Sequence, residues 1–147
     1  MPSEFKITRR VEFSETDAAG IVHFSNFFRY MEAAEHAFFR SLGHSVMLKD
    51  FDPPLGFPRV HADCDYRAPL RFEDRFEIHL LVREKRAKAL SYRFTFRNLS
   101  IEPPVEVARG HLTVVCVTHE ADGRLASTRI PSALADRIEV APPEAIA

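Results

Sequence analysis

The chain has 147 residues, of which 46% are hydrophobic and 28% charged, with only 5 Gly and 10 Pro. That is one ordinary domain, large enough to bury a core, and the balance excludes disordered, collagen-like and low-complexity chains. Lys and Arg number 20 against 21 Asp and Glu, so no basic field exists to draw nucleic acid or a membrane surface, and any anion site must be a local patch.

In chain order, Phe5, Ile7, Val11 and Phe13 alternate with polar residues and predict a strand over residues 5–13. Ser14 to Gly20 is polar and small, a loop. Phe24, Phe27, Phe28, Met31, Ala34, Phe38 and Leu42 then fall at helical spacing. They predict a long helix with Ser25 as N-cap and Gly43 as its stop. Tyr30, Ala33 and Ala37 widen the apolar face, leaving a narrow polar stripe of Arg29, Glu32, His36 and Arg40. Such a helix should be wrapped by other structure.

Past Pro53, Pro54 and Pro58 the chain reads as strand after strand. Val60, Ala62, Cys64 and Tyr66 alternate, then Phe76 to Val82, then Leu90 to Phe96. A long run from Glu106 to His119 follows, and the turn at Ala121–Arg124 leads to a short strand over 125–130. A helical turn is expected from Pro131. The fold class is therefore α+β, an antiparallel sheet around one central helix. One domain covers residues 1–140, and 141–147, with Pro142-Pro143, reads as a flexible tail.

Asp17 sits at the strand-to-helix connection, followed by small residues that allow a substrate to approach closely. The helix beyond it presents unpaired N–H groups and the positive end of its dipole. A carboxylate in that position suits acyl transfer: N–H groups near Phe24 hold the developing oxyanion while Asp17 attacks the carbonyl or activates water. An isolated loop Asp is more often a turn or helix cap, so the surrounding pattern decides. Between Val11 and Ala34 that pattern is Phe13, Thr16-Asp17, Ala18-Ala19-Gly20-Ile21-Val22, Phe24 and Asn26-Phe27-Phe28. It resembles the first strand, catalytic loop and central helix of hotdog-fold acyl-CoA thioesterases, and within them the 4-hydroxybenzoyl-CoA thioesterase branch.

The resemblance implies a hotdog fold and a thioester hydrolase needing neither metal nor cofactor, with Asp17, Gly20 and the Phe24 N–H at the reacting centre. It places the carboxylate on Asp17 and leaves Glu15 to the solvated loop. His23 departs from the branch, which carries an aromatic there; it either lines the site or is merely adjacent. The resemblance also implies an acyl-CoA substrate, with Arg86 and Lys88 answering the CoA phosphates. They lie in the one concentrated basic cluster, Arg83 to Lys88, though Ala87 stands where the branch has another Arg. An ordinary solvated turn would also carry such charges. Phe24, Phe27, Phe28, Tyr92, Phe94 and Phe96 are candidates for an aromatic acyl pocket, although short aliphatic chains would fit apolar walls too.

Two other readings share the fold: a non-catalytic acyl- or CoA-binding protein, and a hydratase or dehydratase using His23 with Asp17. No phosphate loop, zinc signature or nucleophile elbow occurs. His61 and Asp63 share a strand face without metal-ligand spacing. Cys64 and Cys116 lie far apart in apolar strands and are expected as free thiols. No leader-like or membrane-spanning apolar run is present, so the expected location is the cytoplasm. A single sheet leaves an open edge, and the family pairs its subunits, so a homodimer or homotetramer is expected.

Overall fold

Alternation places one face of every long strand against the helix. The computed structural model describes residues 2–146. It arranges β1 (Glu4–Arg10), β4 (Arg75–Lys85), β5 (Ala89–Asn98), β6 (Val105–Val115) and β3 (Arg59–Tyr66) in that spatial order, all antiparallel. The helix α1 (Asn26–Ser41) packs against β4, β1, β3 and β6. Phe76, Ile78, Leu80 and Val82 of β4, with Tyr92, Phe94 and Phe96 of β5, are buried beneath Met31, Ala34, Phe38 and Phe39. This is the hotdog arrangement, a sheet wrapped around one long helix. A small second sheet joins β2 (Leu55–Gly56), β7 (Val117–His119) and β8 (Leu125–Ser127) in the order β2-β7-β8.

The helix comes close to the sheet at one point. A Cβ on Gly110 of β6 would lie 2.0 Å from the Met31 Cε and 3.0 Å from the Asp63 carbonyl oxygen. Only a residue without a side chain lets Met31 seat there. Beyond α1, Gly43 has φ +88° and the His44 N–H returns to the Phe39 carbonyl, so the expected glycine stop is present.

Three boundaries and the facing of one residue differ from the sequence expectation. β1 ends at Arg10, because Val11 instead exchanges hydrogen bonds with Glu73 and Asp74, and Phe13–Glu15 forms a 3-10 turn with Phe13 exposed. The run to His119 breaks at Cys116, whose N–H bonds Lys88 and whose carbonyl bonds Thr128, handing the ladder to the second sheet. The last strand ends at Ser127. Val60 is 61% exposed, because a register shift between Arg59 and His61 turns it out of the alternation.

In the segment read as a tail, Ala141 is buried and its N–H donates to the Val82 carbonyl at 2.8 Å. Pro143–Ile146 forms a helical turn, α3, whose Ala145 and Ile146 carbonyls accept from Arg93; Ala147 lies outside the described residues. Both cysteines are free thiols. Among the described residues no helix is long and apolar enough to cross a membrane.

Candidate active site

The Asp17 loop is closed by its own backbone. Thr16 and Val22 form an isolated bridge, the Asp17 N–H donates to the Ile21 carbonyl at 2.8 Å, and the Gly20 N–H donates to the Asp17 carbonyl at 2.9 Å. Gly20 takes φ +81°, a conformation that a side chain would strain, so the glycine is needed for the turn itself. The loop then orients the acid. Asp17 Oδ1 accepts from the Ala19 N–H at 2.9 Å and, more weakly, from Ile21 at 3.4 Å, while Oδ2 has no partner among the described residues.

The half-buried Asp17 borders a cavity of about 530 Å³ together with Ile21, Phe24, Phe27, Tyr66 and Arg67. Phe27 bridges cavity and core, edge-on to Tyr66 at 5.3 Å and to Phe96 at 5.1 Å. Phe28, Tyr92, Phe94 and Phe96 do not line it. The three β5 aromatics are spent on packing under α1, so of the six expected rings only Phe24 and Phe27 line the cavity, joined by Tyr66, which was not among them.

The start of α1 carries one conspicuous donor. The Val22 N–H donates to the Leu70 carbonyl, and those of His23, Ser25, Asn26, Phe27 and Phe28 all donate within the loop and first turn. The Phe24 N–H donates to nothing among the described residues, and its carbonyl accepts from the Tyr66 hydroxyl at 3.0 Å. An unpaired N–H at the positive end of a helix dipole favours negative charge. Ser25 sits at the N-cap, but its hydroxyl pairs with His23 Nδ1 at 2.8 Å rather than capping the helix. His23 stacks on Phe24 at 4.6 Å, is exposed, and lies outside the cavity lining. Glu15 serves the loop: its side chain accepts from the Glu12 N–H, and its carbonyl accepts from Asn26 Nδ2.

The basic cluster falls in the turn between β4 and β5, where strand alternation does not apply to Arg86 or Lys88. Lys85 is committed to the carbonyls of Ala135 and Ile138, and Arg86 pairs with Glu84 at 3.0 Å. A cavity of about 570 Å³ is lined there by Lys85, Arg86, Arg129, Ser132 and Asp136 among others, but not by Lys88. The sequence does not point to Arg129, because the segment after β8 is carried alongside this turn by long-range bonds, the Ile130 N–H to the Ala87 carbonyl among them.

Away from these cavities, Asp63 accepts from both His61 and His111 at 2.8 Å. Burial acts to raise its carboxyl, but these two bonds outweigh it and hold Asp63 below the usual carboxylate range. No cluster of three or more His, Cys, Asp or Glu able to hold a metal occurs among the described residues.

Residues 11–138 match the family described as the thioesterase-like superfamily. The chain belongs to that superfamily. Its class of reaction is thioester hydrolysis. An Aquifex aeolicus protein, named provisionally as an esterase, is 40% identical over 73% of this chain and 80% of its own. A 1,4-dihydroxy-2-naphthoyl-CoA hydrolase of Nostoc punctiforme is 39% identical, but the match spans about half of each chain, 52% of both. Among solved structures, a gentisyl-coenzyme A thioesterase superposes with a TM-score of 0.76 and is 34% identical over 88% of this chain and 98% of its own.

Proposed function

We propose that the protein is an acyl-CoA thioesterase acting on hydroxylated aryl thioesters, with its reacting centre at Asp17. One observation carries the reading: the unpartnered carboxylate oxygen of Asp17 and the unpartnered N–H of Phe24 belong to residues lining one cavity at the start of α1. The thioester carbonyl oxygen accepts from Phe24 N–H, which stabilises the charge that develops there. Asp17 Oδ2 then adds to the carbonyl carbon or takes a proton from the attacking water. The C–S bond breaks and CoA leaves as a thiolate, a good leaving group with a conjugate-acid pKa of about 8.5 by the cysteine reference; on the nucleophilic route water then hydrolyses the mixed anhydride on Asp17, and both routes end in the free acid and an ionised Asp17. Gly20 keeps the loop in the shape that leaves Oδ2 open. His23 carries no step, since it is tied to Ser25 and stacked on Phe24.

The aromatic lining of Phe24, Phe27 and Tyr66 suits a flat ring, and the gentisyl and dihydroxynaphthoyl relatives are named for hydroxylated aryl groups. Arg86 and Arg129 of the second cavity, with Lys88 nearby in the turn, meet the CoA phosphates. The open edge of β3 pairs with a second copy, giving a homodimer or a dimer of dimers; light scattering that found only monomer at micromolar concentration would remove this part.

The activity test is a thioester panel read by free-thiol release. Gentisyl-, 4-hydroxybenzoyl- and 1,4-dihydroxy-2-naphthoyl-CoA are expected to exceed butyryl- and hexanoyl-CoA in kcat/KM by about tenfold or more. A comparable preference for the aliphatic chains rejects the aryl substrate. No thiol release from any member rejects the thioesterase.

A further inference from the structure

The helix side of the fold is tied to β3 at both ends of that strand. Arg59, its first residue, donates to the buried Glu35 on the far half of α1 at 2.5 Å, and both line a separate cavity of about 360 Å³ that shares no residue with the Asp17 cavity. Tyr66, its last residue, donates its hydroxyl to the Phe24 carbonyl at 3.0 Å, and both line the Asp17 cavity. The first tie holds the body of the helix. The second falls on the residue whose N–H is free, and that bond has no share in the steps at Asp17.

Little else fixes Phe24 from outside its own segment. Its side chain is 61% exposed, and its one ring partner among the described residues is the adjacent His23. Its carbonyl also accepts from the Phe27 N–H at a long 3.3 Å, and the His23 carbonyl before it accepts from the Asn26 N–H at 2.9 Å. Both of those bonds belong to the first turn and move with it. The Tyr66 hydroxyl reaches in from 42 residues away. Tyr66 is itself well anchored. It pairs with Ala108 in the ladder, the Arg67 and Ala68 N–H groups after it both donate to the Val107 carbonyl, and its ring meets Phe27 edge-on at 5.3 Å. Burial, and then the neighbouring Cys64 thiol, push the phenol up to about 12, so the proton that makes the bond stays on at neutral pH.

We propose that Tyr66 is a positioning residue for thioester hydrolysis, its hydroxyl holding the Phe24 backbone so that the free N–H meets the developing oxyanion. This role rests on the thioesterase reading and adds to it the group that aligns the oxyanion donor beforehand. A donor fixed before the reaction stabilises charge without reorganising, whereas one that must first be turned into place loses part of that advantage. Ring and hydroxyl of Tyr66 thus divide the work. The ring packs against the acyl group in ground state and transition state alike, while the hydroxyl counts only once charge gathers on the thioester oxygen.

Tyr66→Phe keeps the ring and removes the bond. In thiol-release assays with 4-hydroxybenzoyl-CoA and benzoyl-CoA its kcat should fall about tenfold or more, by the same factor on both, with KM changed less than about threefold. Tyr66→Leu, which removes the ring as well, should lose kcat equally and also raise KM. The backbone order parameters of Phe24 and Ser25 from nitrogen-15 relaxation should fall in Tyr66→Phe while those of the helix beyond stay as in the wild type. Tyr66 is 45% exposed, so the thermal midpoint should drop by no more than about 5 °C. A kcat loss confined to 4-hydroxybenzoyl-CoA would make Tyr66 a direct contact to the ring hydroxyl and overturn the positioning role. Unchanged order parameters at Phe24 and Ser25 would overturn it too. Wild-type protein that releases thiol from no member of the panel removes the thioesterase reading and this role with it. An active wild type matched within about twofold in kcat by Tyr66→Phe removes this role alone.

Discussion

Replacing Asp17 with Asn isolates the chemistry from the architecture. The loop needs an acceptor at Oδ1 for the Ala19 N–H, at 2.9 Å, and Asn supplies one. What changes is the other terminal atom, an amide nitrogen in place of the oxygen that has no partner among the described residues. The amide neither attacks a carbonyl nor takes a proton from water, so the loss belongs to the transition state. It should lower kcat by at least about a hundredfold, or about 2.7 kcal/mol, with KM changed only a few-fold. Asp17→Ala would also release the Ala19 N–H and so mix a local unfolding cost of about 1 kcal/mol into the result. The assay is thiol release from the best member of the aryl panel, with thermal midpoints recorded alongside. Glu15→Gln is the control, since its acceptor role toward Glu12 survives the change. An Asp17→Asn protein retaining a tenth of wild-type kcat, or one no slower than Glu15→Gln, would refute the assignment.

The Arg86→Ala/Arg129→Ala double variant should raise KM for acyl-CoA more than it lowers kcat, and added salt should raise wild-type KM in the same way; an unchanged KM returns both residues to a solvated turn. Asp63 is held below its ordinary value of 3.8, so it contributes stability above that pH and loses it as pH falls through the folded value. The urea midpoint gap between wild type and Asp63→Asn should therefore be open at pH 5.5 and narrower at pH 3; a gap that widens on acidification contradicts the sign. Burial pushes the Cys64 and Cys116 thiols up to about 11. Alkylation at pH 8 should therefore be about a hundredfold slower in the folded than in the unfolded chain, by thiolate fraction, and mass spectrometry of iodoacetamide time courses reads this directly.

The elements legible in the sequence are those whose neighbours merely confirm a local period. The apolar stripe of α1 and the alternation of β4 and β5 each name their buried face. Gly20 and Gly43 mark the turns where φ is positive. What escaped was settled by partners remote in the chain. Cys116 interrupts a run that stays β-branched on both sides, because its hydrogen bonds go to Lys88 and Thr128. Glu35 stands beside Ala34 on the buried face, where a hydrophobic count skips over an acid that Arg59, 24 residues away, makes tolerable. The candidate site divides in the same way. Asp17, Gly20 and Phe24 were readable because one loop holds all three. Which phenylalanines face a cavity rather than the core, and which cation lies beside Arg86, depends on packing that no single segment encodes.

Gly110 behaves like the bearing under a beam. Met31 rests on it five residues after α1 begins and four before Glu35, so the seat lies between the two cavities. A methyl group added there would have to raise the beam, tilt it or displace Met31. The first two movements shift the Phe24 end and the Glu35 end together. A residue on the sheet, absent from the lining of either cavity, thus bears on the height of both wherever the helix rather than the Met31 side chain gives way. Substitutions around the Asp17 loop or the Glu35 wall can be explored one end at a time, whereas a change at Gly110 that lifts or tilts α1, rather than displacing only the Met31 side chain, alters both clearances at once.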